Sequence, residues 1–174
     1  ARLADTGHDF TTFLNTSHAQ VLIFTGGSST SGVDMVRKTL AEAQATYLFE
    51  SVQVRPGHPA LAARLADGRI VLGLPGNPLA AYTALYSYLP PLLAGMRGLP
   101  LPPLDTAEIA QDIPALTASS QQRLIPALVR ECRAHPLPRS ASYMLSGLSK
   151  ATHLLVADAS GYTAGDRVPL LPMF

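Results

Sequence analysis

The 174-residue sequence has little cysteine, little net charge and no long apolar run. Its single cysteine, Cys132, excludes a disulfide framework and a cysteine-based zinc site, and it fits a reducing cytosol. Thirteen basic and twelve acidic side chains give a net charge of +1, too small to indicate nucleic-acid or membrane binding. The most apolar stretch, residues 85–96, contains Pro90 and Pro91 and is too short to span a bilayer.

The hydrophobic fraction of the sequence is that of a chain with a buried core. It reaches 47%, which excludes global disorder. The sequence begins at Ala1 without an initiator methionine or a signal-peptide pattern, and we therefore expect it to be a piece of a longer protein.

Strand and helix patterns alternate in the first hundred residues, which predicts the α/β class. The run at residues 21–24 predicts a strand buried on both faces, as in a parallel sheet. The other predicted elements are helices over 3–16, 33–45 and 79–93 and strands over 48–54 and 69–74. We expect residues 1–98 to form an incomplete three-layer αβα domain.

A proline-rich stretch at residues 99–104 predicts a stiff linker between two domains. Beyond it, short apolar runs separated by Pro, Gly and Ser predict a small all-β domain over 105–174. Its predicted strands are 124–129, 154–156 and 168–171, and residues 143–150 have a helical pattern.

A loop rich in glycine and serine, residues 25–34, follows the first strand and opens a helix. Glycines allow close backbone approach, and a helix N-terminus offers free N–H groups to a phosphate or oxyanion. A plain strand-to-helix connection, capped by Ser31 with Asp34 three residues on, explains the same residues. The loop is not a P-loop, because no lysine follows its second glycine.

Two further turns are stiffened by prolines. Residues 55–59 present Arg55 and His58, and residues 75–78 present an amide after the next apolar strand. Each turn also has an explanation that needs no ligand. Arg55 and His58 can be solvated side chains on a turn that ends a strand, and the last proline of residues 75–78 can be the first residue of the following helix. Three rigid polar turns at the carboxyl ends of strands favour a small ligand that carries a phosphate or another oxyanion.

The order of these motifs resembles the molybdopterin molybdenumtransferase family, which includes the bacterial molybdenum-insertion enzyme and the E domain of gephyrin. The motifs that carry the resemblance are Gly-Gly-x-Ser-x-x-x-x-Asp over 26–34, Arg-Pro-Gly-x-Pro over 55–59 and Leu-Pro-Gly-Asn-Pro over 74–78. The segments 142–148, 154–156 and 164–168 resemble the family's small C-terminal β domain. The resemblance covers nearly the whole chain.

The resemblance implies insertion of molybdenum from molybdate into molybdopterin, after hydrolysis of the adenylylated pterin and with magnesium. It implies a catalytic and metal-binding carboxylate at Asp34 and a catalytic loop serine at Ser29. The residues that it implies for binding are Gly26, Gly27, Ser28, Gly32, Arg55, His58, Pro75, Gly76, Asn77, Pro78, Arg123 and Ser142.

The sequence also departs from the family pattern. Arg55 and His58 stand where the family has two lysines, Ser31 replaces a usual glycine, and Thr152-His153 replaces an Asn-Gly pair. Arginine keeps the charge with another geometry, whereas histidine can be neutral. The alternative to an enzyme is therefore a divergent paralogue, in which this chain is a non-catalytic module for molybdopterin binding or dimerisation. A related adenylyltransferase or competence-damage-type domain fits less well, since those relatives lack the C-terminal β unit.

Further expectations concern partners and location, the latter from the single cysteine. We expect a homodimer in the full-length protein, a cytoplasmic location, and a cleft shared with a segment that this sequence does not contain. On that expectation this chain alone is inactive.

Overall fold

A computed structural model describes residues 7–26, 35–116, 121–137 and 148–173. Its contacts divide the chain into two compact units. We call residues 1–52 and 57–77 the α/β unit, and residues 53–56 and 78–174 the barrel unit. The longest helix thus groups with the barrel unit, while a domain boundary at residues 99–104 stays a prediction.

Helices and short strands alternate along the described parts of the chain. In chain order, the regular elements are α1 (Gly7–Thr16), β1 (Val21–Thr25), α2 (Met35–Glu42), β2 (Thr46–Phe49), β3 (Val54–Arg55), β4 (Leu61–Arg64), β5 (Ile70–Leu74), α3 (Pro78–Met96), β6 (Asp105–Ile109), β7 (Gln122–Arg130), β8 (Arg133–Pro136), a 3₁₀ turn (Leu148–Lys150), β9 (His153–Ala157) and β10 (Arg167–Pro172). Among the described helices, none combines the length and apolar character needed to cross a membrane.

The α/β unit contains a mixed sheet of four strands in the order β1-β5-β4-β2. β1 and β5 are parallel, whereas β4 is antiparallel to both of its neighbours. Gly73 in β5 faces Leu61 in β4, and a Cβ at Gly73 would lie 2.8 Å from the Leu61 Cγ. Glycine at this buried position therefore lets the leucine side chain cross the neighbouring strand.

Helices α1 and α2 pack on one face of this sheet through a single apolar cluster. Leu22 and Phe24 of β1 point into the cluster, and Phe24 lies 5.0 Å from the Phe10 ring of α1. Ile23, between them, is 40% exposed. The expectation that residues 21–24 are buried on both faces is thus wrong, because β1 lies at the edge of the described sheet and alternates inward and outward.

One arginine joins the end of α1 to the turn before β5. The Arg69 guanidinium donates to the carbonyls of Leu14 and Ser17 at 2.7 and 2.8 Å. It also pairs with Asp67 at 2.7 Å. The last carbonyls of a helix lack intrahelical partners, so Arg69 supplies the donors that end α1.

Five strands of the barrel unit close on themselves. The sheet runs β3-β7-β8-β6-β10-β9, and β9 pairs back with β7. Alternate side chains fill its interior; they include Ile109, Ala127, Ala134, Leu155 and Val168. The small all-β domain that the sequence predicts is therefore present, as a closed barrel with β3 added at the edge of β7.

The hairpin between β7 and β8 turns on Glu131 and Cys132. Both have positive φ, 49° and 61°, which is the two-residue turn that matches the twist of paired strands. Cys132 is a free, exposed thiol at this tip. The thiol therefore lies on the surface and not in a core.

Three strands and part of a helix differ from the sequence-based expectations. β4, β6 and β8 were not predicted, and the stretch 48–54 contains two short strands, β2 and β3, where one was expected. Of the helical pattern at 143–150, only the 3₁₀ turn lies among the described residues.

Candidate functional site

Two of the three predicted ligand turns lie side by side in the α/β unit. β1 and β5 are parallel with Thr25 opposite Leu74, so both strands end at the same edge of the sheet. The Gly26 N–H donates to the Leu74 carbonyl at 3.0 Å, and a Cβ on Gly76 would lie 3.4 Å from the Gly26 Cα. Gly26 has φ +86°, a conformation that favours glycine. This edge is where open α/β sheets bind ligands.

The second of these turns leads directly into helix α3. Pro78 is the first helical residue and Asn77 precedes it, as the fixed φ of proline and the capping preference of asparagine favour. Pro75 is buried, whereas Gly76 is exposed. The turn therefore presents its backbone to solvent while its first proline anchors it.

The two predicted arginines are neighbours in the barrel unit. Strand β3 pairs in parallel with β7, and this register sets Arg55 opposite Arg123. The Arg55 side chain is exposed and makes no hydrogen bond or ion pair within the described parts of the chain. Two like charges at opposed strand positions are unfavourable unless an anion lies between or beside them.

Arg123 is held more tightly than Arg55. Its side chain is 5% exposed, and its Nη2 donates to the Pro114 carbonyl at 2.6 Å. It lines a cavity of about 450 Å³, whose other lining residues include Gln111, Asp112, Ile125 and Leu137. A guanidinium fixed in this way is pre-organised for a planar or tetrahedral oxyanion.

His58 is engaged with the main chain of the α/β unit. Its Nδ1 lies 2.9 Å from the Val52 carbonyl, and the Val52 N–H donates to the His58 carbonyl at 3.1 Å. Because a carbonyl oxygen only accepts, Nδ1 carries a proton in this contact. The turn after His58 is closed by an Ala60 N–H bond to the Gly57 carbonyl at 3.0 Å.

Six of the predicted site residues lie outside the described residues. They are Gly27, Ser28, Ser29, Gly32, Asp34 and Ser142. The described part of the chain contains no group of three or more His, Cys, Asp or Glu side chains that could hold a metal ion. Asp34, the predicted metal ligand, stays a prediction from the sequence.

The sequence does not reveal the main-chain carbonyls that hold two of the predicted site residues in place. The carbonyls of Val52 and Pro114 fix His58 and Arg123, yet a main-chain acceptor leaves no mark in the sequence. The β3–β7 pairing was equally invisible, because its two strands are far apart along the chain.

The chain matches a family of known proteins over much of its length. The sequence profile of the family described as "Probable molybdopterin binding domain" matches residues 3–95, more than half of the chain. The chain therefore belongs to this family.

Individual relatives carry a more specific name. A molybdopterin molybdenumtransferase of Staphylococcus epidermidis is 37% identical over 82 residues, which are 47% of this chain and 19% of that protein. One from Synechococcus elongatus is 29% identical over 143 residues, 80% of this chain and 34% of that protein. The chain thus spans about a fifth to a third of the relatives it matches.

A solved structure extends the likeness of fold to both units. The molybdopterin biosynthesis MoeA protein from Pyrococcus horikosii has a TM-score of 0.77 at 16% identity. The match covers 98% of this chain and 42% of that one. The expectation of an α/β domain followed by a small β domain is confirmed.

Proposed function

We propose that this chain is part of a molybdopterin molybdenumtransferase and binds adenylylated molybdopterin and molybdate. The observation that carries the proposal is the close approach of Gly26 and Gly76 beyond two parallel strands. Backbone at this edge can lie against a flat, phosphate-bearing ligand without side chains in between. We assign the pterin to this edge, with Gly27, Ser28, Gly32, Pro75, Asn77 and Pro78 as further contacts.

We assign molybdate to the basic groups. Arg55 supplies an exposed guanidinium with no partner among the described residues, and Arg123 supplies a buried one fixed by Pro114. Charge-assisted hydrogen bonds from guanidinium groups suit a tetrahedral oxyanion. The resemblance implies His58 and Ser142 as further binding residues.

We assign catalysis to Asp34 and Ser29. A carboxylate at Asp34 would hold the magnesium ion that neutralises phosphate charge during hydrolysis of the adenylylated pterin. The Ser29 hydroxyl would donate to the same phosphate. Both roles rest on the resemblance to the molybdopterin molybdenumtransferase family.

We further propose a cytoplasmic homodimer. The exposed free thiol of Cys132 supports a reducing compartment. The small net charge of +1 supports small-molecule partners over nucleic acid or a membrane surface.

Titration calorimetry with molybdate tests the assignment of the arginines. We expect Arg55→Ala to lower the affinity for molybdate about tenfold or more, because it removes a charge-assisted hydrogen bond. Arg64→Ala is the matched control, since Arg64 ends strand β4 and is also exposed but lies outside the proposed site. Equal affinities of the two variants would contradict the assignment.

A further inference from the structure

Strand β1 forms one edge of the four-stranded sheet in the α/β unit, and its inner side pairs with β5. The Gly26 N–H, just past the end of β1, donates to the Leu74 carbonyl at 3.0 Å. Backbone groups of successive residues in a strand point to opposite sides, so the even-numbered residues of β1 are the ones that bond to β5. The groups that point away from the sheet are the N–H and C=O of Val21, Ile23 and Thr25.

This outer side of β1 is uncovered within the ranges that the structure describes. No strand pairs with it there, and no hydrogen bond reaches the outward groups of Val21, Ile23 and Thr25. The side chains of these residues lie on the face of the sheet opposite to α1, where Ile23 is 40% exposed and Thr25 is exposed. An uncovered strand edge beside an exposed apolar side chain is a template for another strand.

The opposite edge of the same sheet carries features that prevent such pairing. The register of β2 shifts between Tyr47 and Phe49, and Glu50 follows the strand at once and pairs with Arg37 at 3.1 Å. Irregular register and charged side chains keep an edge strand from pairing. β1 has neither feature, since its register with β5 is unbroken and residues 10–33 contain no Asp, Glu, Lys or Arg.

The outward groups of β1 are complementary to those of a second β1. When two such strands run antiparallel with Ile23 opposite the second copy's Ile23, the N–H of each meets the carbonyl of the other. Val21 then lies opposite Thr25 in both directions, so every outward group gains a partner around a two-fold axis. The absence of charge on β1 leaves no repulsion between the copies.

We propose that two copies of this chain associate through β1, by antiparallel pairing centred on Ile23 that joins their two sheets into one. The occupant of the edge is a second copy because β1 is its own complement in hydrogen bonding and in charge. Both β1 edges are used up in the pair, and β2 is protected, so the assembly closes at a dimer. This pairing rests on the homodimer of the proposed function, to which it gives a surface, and is independent of the proposed ligands.

Sedimentation equilibrium across a dilution series measures the association. We expect the unaltered chain to form a dimer and no larger species. Ile23→Lys should raise the dissociation constant of the dimer about tenfold or more, because it sets two like charges opposite each other at the centre of the pairing. Circular dichroism checks that the variant stays folded, as expected for a side chain that points away from the apolar cluster.

Leu48→Lys is the matched control for this measurement. Leu48 is 52% exposed on β2, so the variant makes the same kind of exchange at the other edge of the same sheet. It should leave the dissociation constant of the dimer unchanged.

Cysteine cross-linking tests the register of the pairing. The two Ile23 Cα atoms should lie about 5.5 Å apart, which a disulfide can bridge. The two Thr25 Cα atoms should lie about 13 Å apart, which is too far. In a Cys132→Ser chain, which lacks the exposed native thiol, oxidised glutathione should convert Ile23→Cys to a covalent dimer and leave Thr25→Cys without an interchain bridge.

The possible results separate this pairing from the rest of the proposed function. A dimer that persists unweakened in Ile23→Lys, or equal cross-linking of the two cysteine variants, would overturn pairing through β1 and place the proposed homodimer on another surface. A monomer at every concentration of the unaltered chain would contradict both the pairing and the proposed homodimer. Neither result bears on molybdate binding, which the calorimetry of Arg55→Ala tests by itself.

Discussion

At the residue scale, the two arginines opposite each other on β3 and β7 differ in how firmly they are held. Arg123 is buried and tied to Pro114, so little conformational entropy remains for a ligand to remove. Arg55 is exposed and must be ordered on binding. On the proposed assignment to molybdate, we therefore expect Arg123 to be a fixed donor and Arg55 an adjustable one.

The glycine edge is constrained by backbone conformation at one position. Gly26 has φ +86°, which an L-residue adopts at a cost. We expect Gly26→Ala to lower the free energy of unfolding by about 1–2 kcal/mol. Urea denaturation followed by circular dichroism measures the effect.

Gly95 provides the control for this prediction. It lies within α3, where an added Cβ would meet no atom within 4 Å, and Gly95→Ala replaces a poor helix former by the best one. We expect this change to raise the free energy of unfolding by about 0.5–1 kcal/mol. A neutral Gly26→Ala would show that the conformation at Gly26 is not under strain when a side chain is added.

At the element scale, helix α3 is unusual because none of its nineteen residues is charged. Thr83 and Ser87 donate their hydroxyls to carbonyls one turn earlier, with Ser87 2.7 Å from the Thr83 oxygen. Pro90 and Pro91 lie inside the helix, where each removes an N–H donor. The helix continues past them to Met96, so packing outweighs local preference.

Tyr88 of the same helix should make the free energy of unfolding fall at alkaline pH. Burial raises the pKa of Tyr88 to about 12. Between pH 10 and 12 the unfolded chain releases this proton while the folded chain keeps it. The stabilisation is therefore complete below pH 10 and is lost as pH rises towards 12. We expect a loss of about 1–2 kcal/mol, since Tyr88 is only partly buried.

Substitution by phenylalanine isolates this contribution from other alkaline titrations. The loss of unfolding free energy between pH 9 and pH 11.5 should be smaller in Tyr88→Phe than in the unaltered chain. Tyr82→Phe, at a position 43% exposed on the same helix, should leave the loss as it was. An identical loss in all three chains would show that ionisation of Tyr88 does not contribute.

Elements with strong local patterns were predicted, and those without them were not. The apolar run of β5 and the helical spacing of α2 are visible in the sequence. β4 carries two alanines, which have little strand preference, and β8 carries charged and proline residues. Such strands form because their neighbours pair with them, and pairing is a property of the fold and not of the segment.

At the whole-molecule scale, the parts of the candidate site that depend on local sequence were predicted, and those that depend on pairing between distant strands were not. Turns such as residues 75–78 are local, so residue type alone indicated them. The opposition of Arg55 and Arg123 arises from parallel pairing between strands far apart in sequence, which no local pattern encodes. The closure of the barrel by β7 and β9 is non-local in the same way.

This chain is much shorter than the relatives that it matches. This chain spans 34% of the Synechococcus elongatus molybdopterin molybdenumtransferase. The resemblance implies a cleft shared with a segment that this sequence does not contain, and catalysis falls steeply when reacting groups are not held in place. We therefore expect this chain alone to bind molybdate yet to form no cofactor from adenylylated molybdopterin.

Activation of a cofactor-free molybdoenzyme measures the product directly, with the complete Synechococcus elongatus relative as the positive control in the same assay. The relative should activate the reporter enzyme, and this chain should give the signal of a blank. Substantial activation by this chain that disappears in Arg55→Ala would show that the described residues, together with those of the glycine loop, already contain the whole catalytic site. In that case no residue from outside this chain would be required for the reaction.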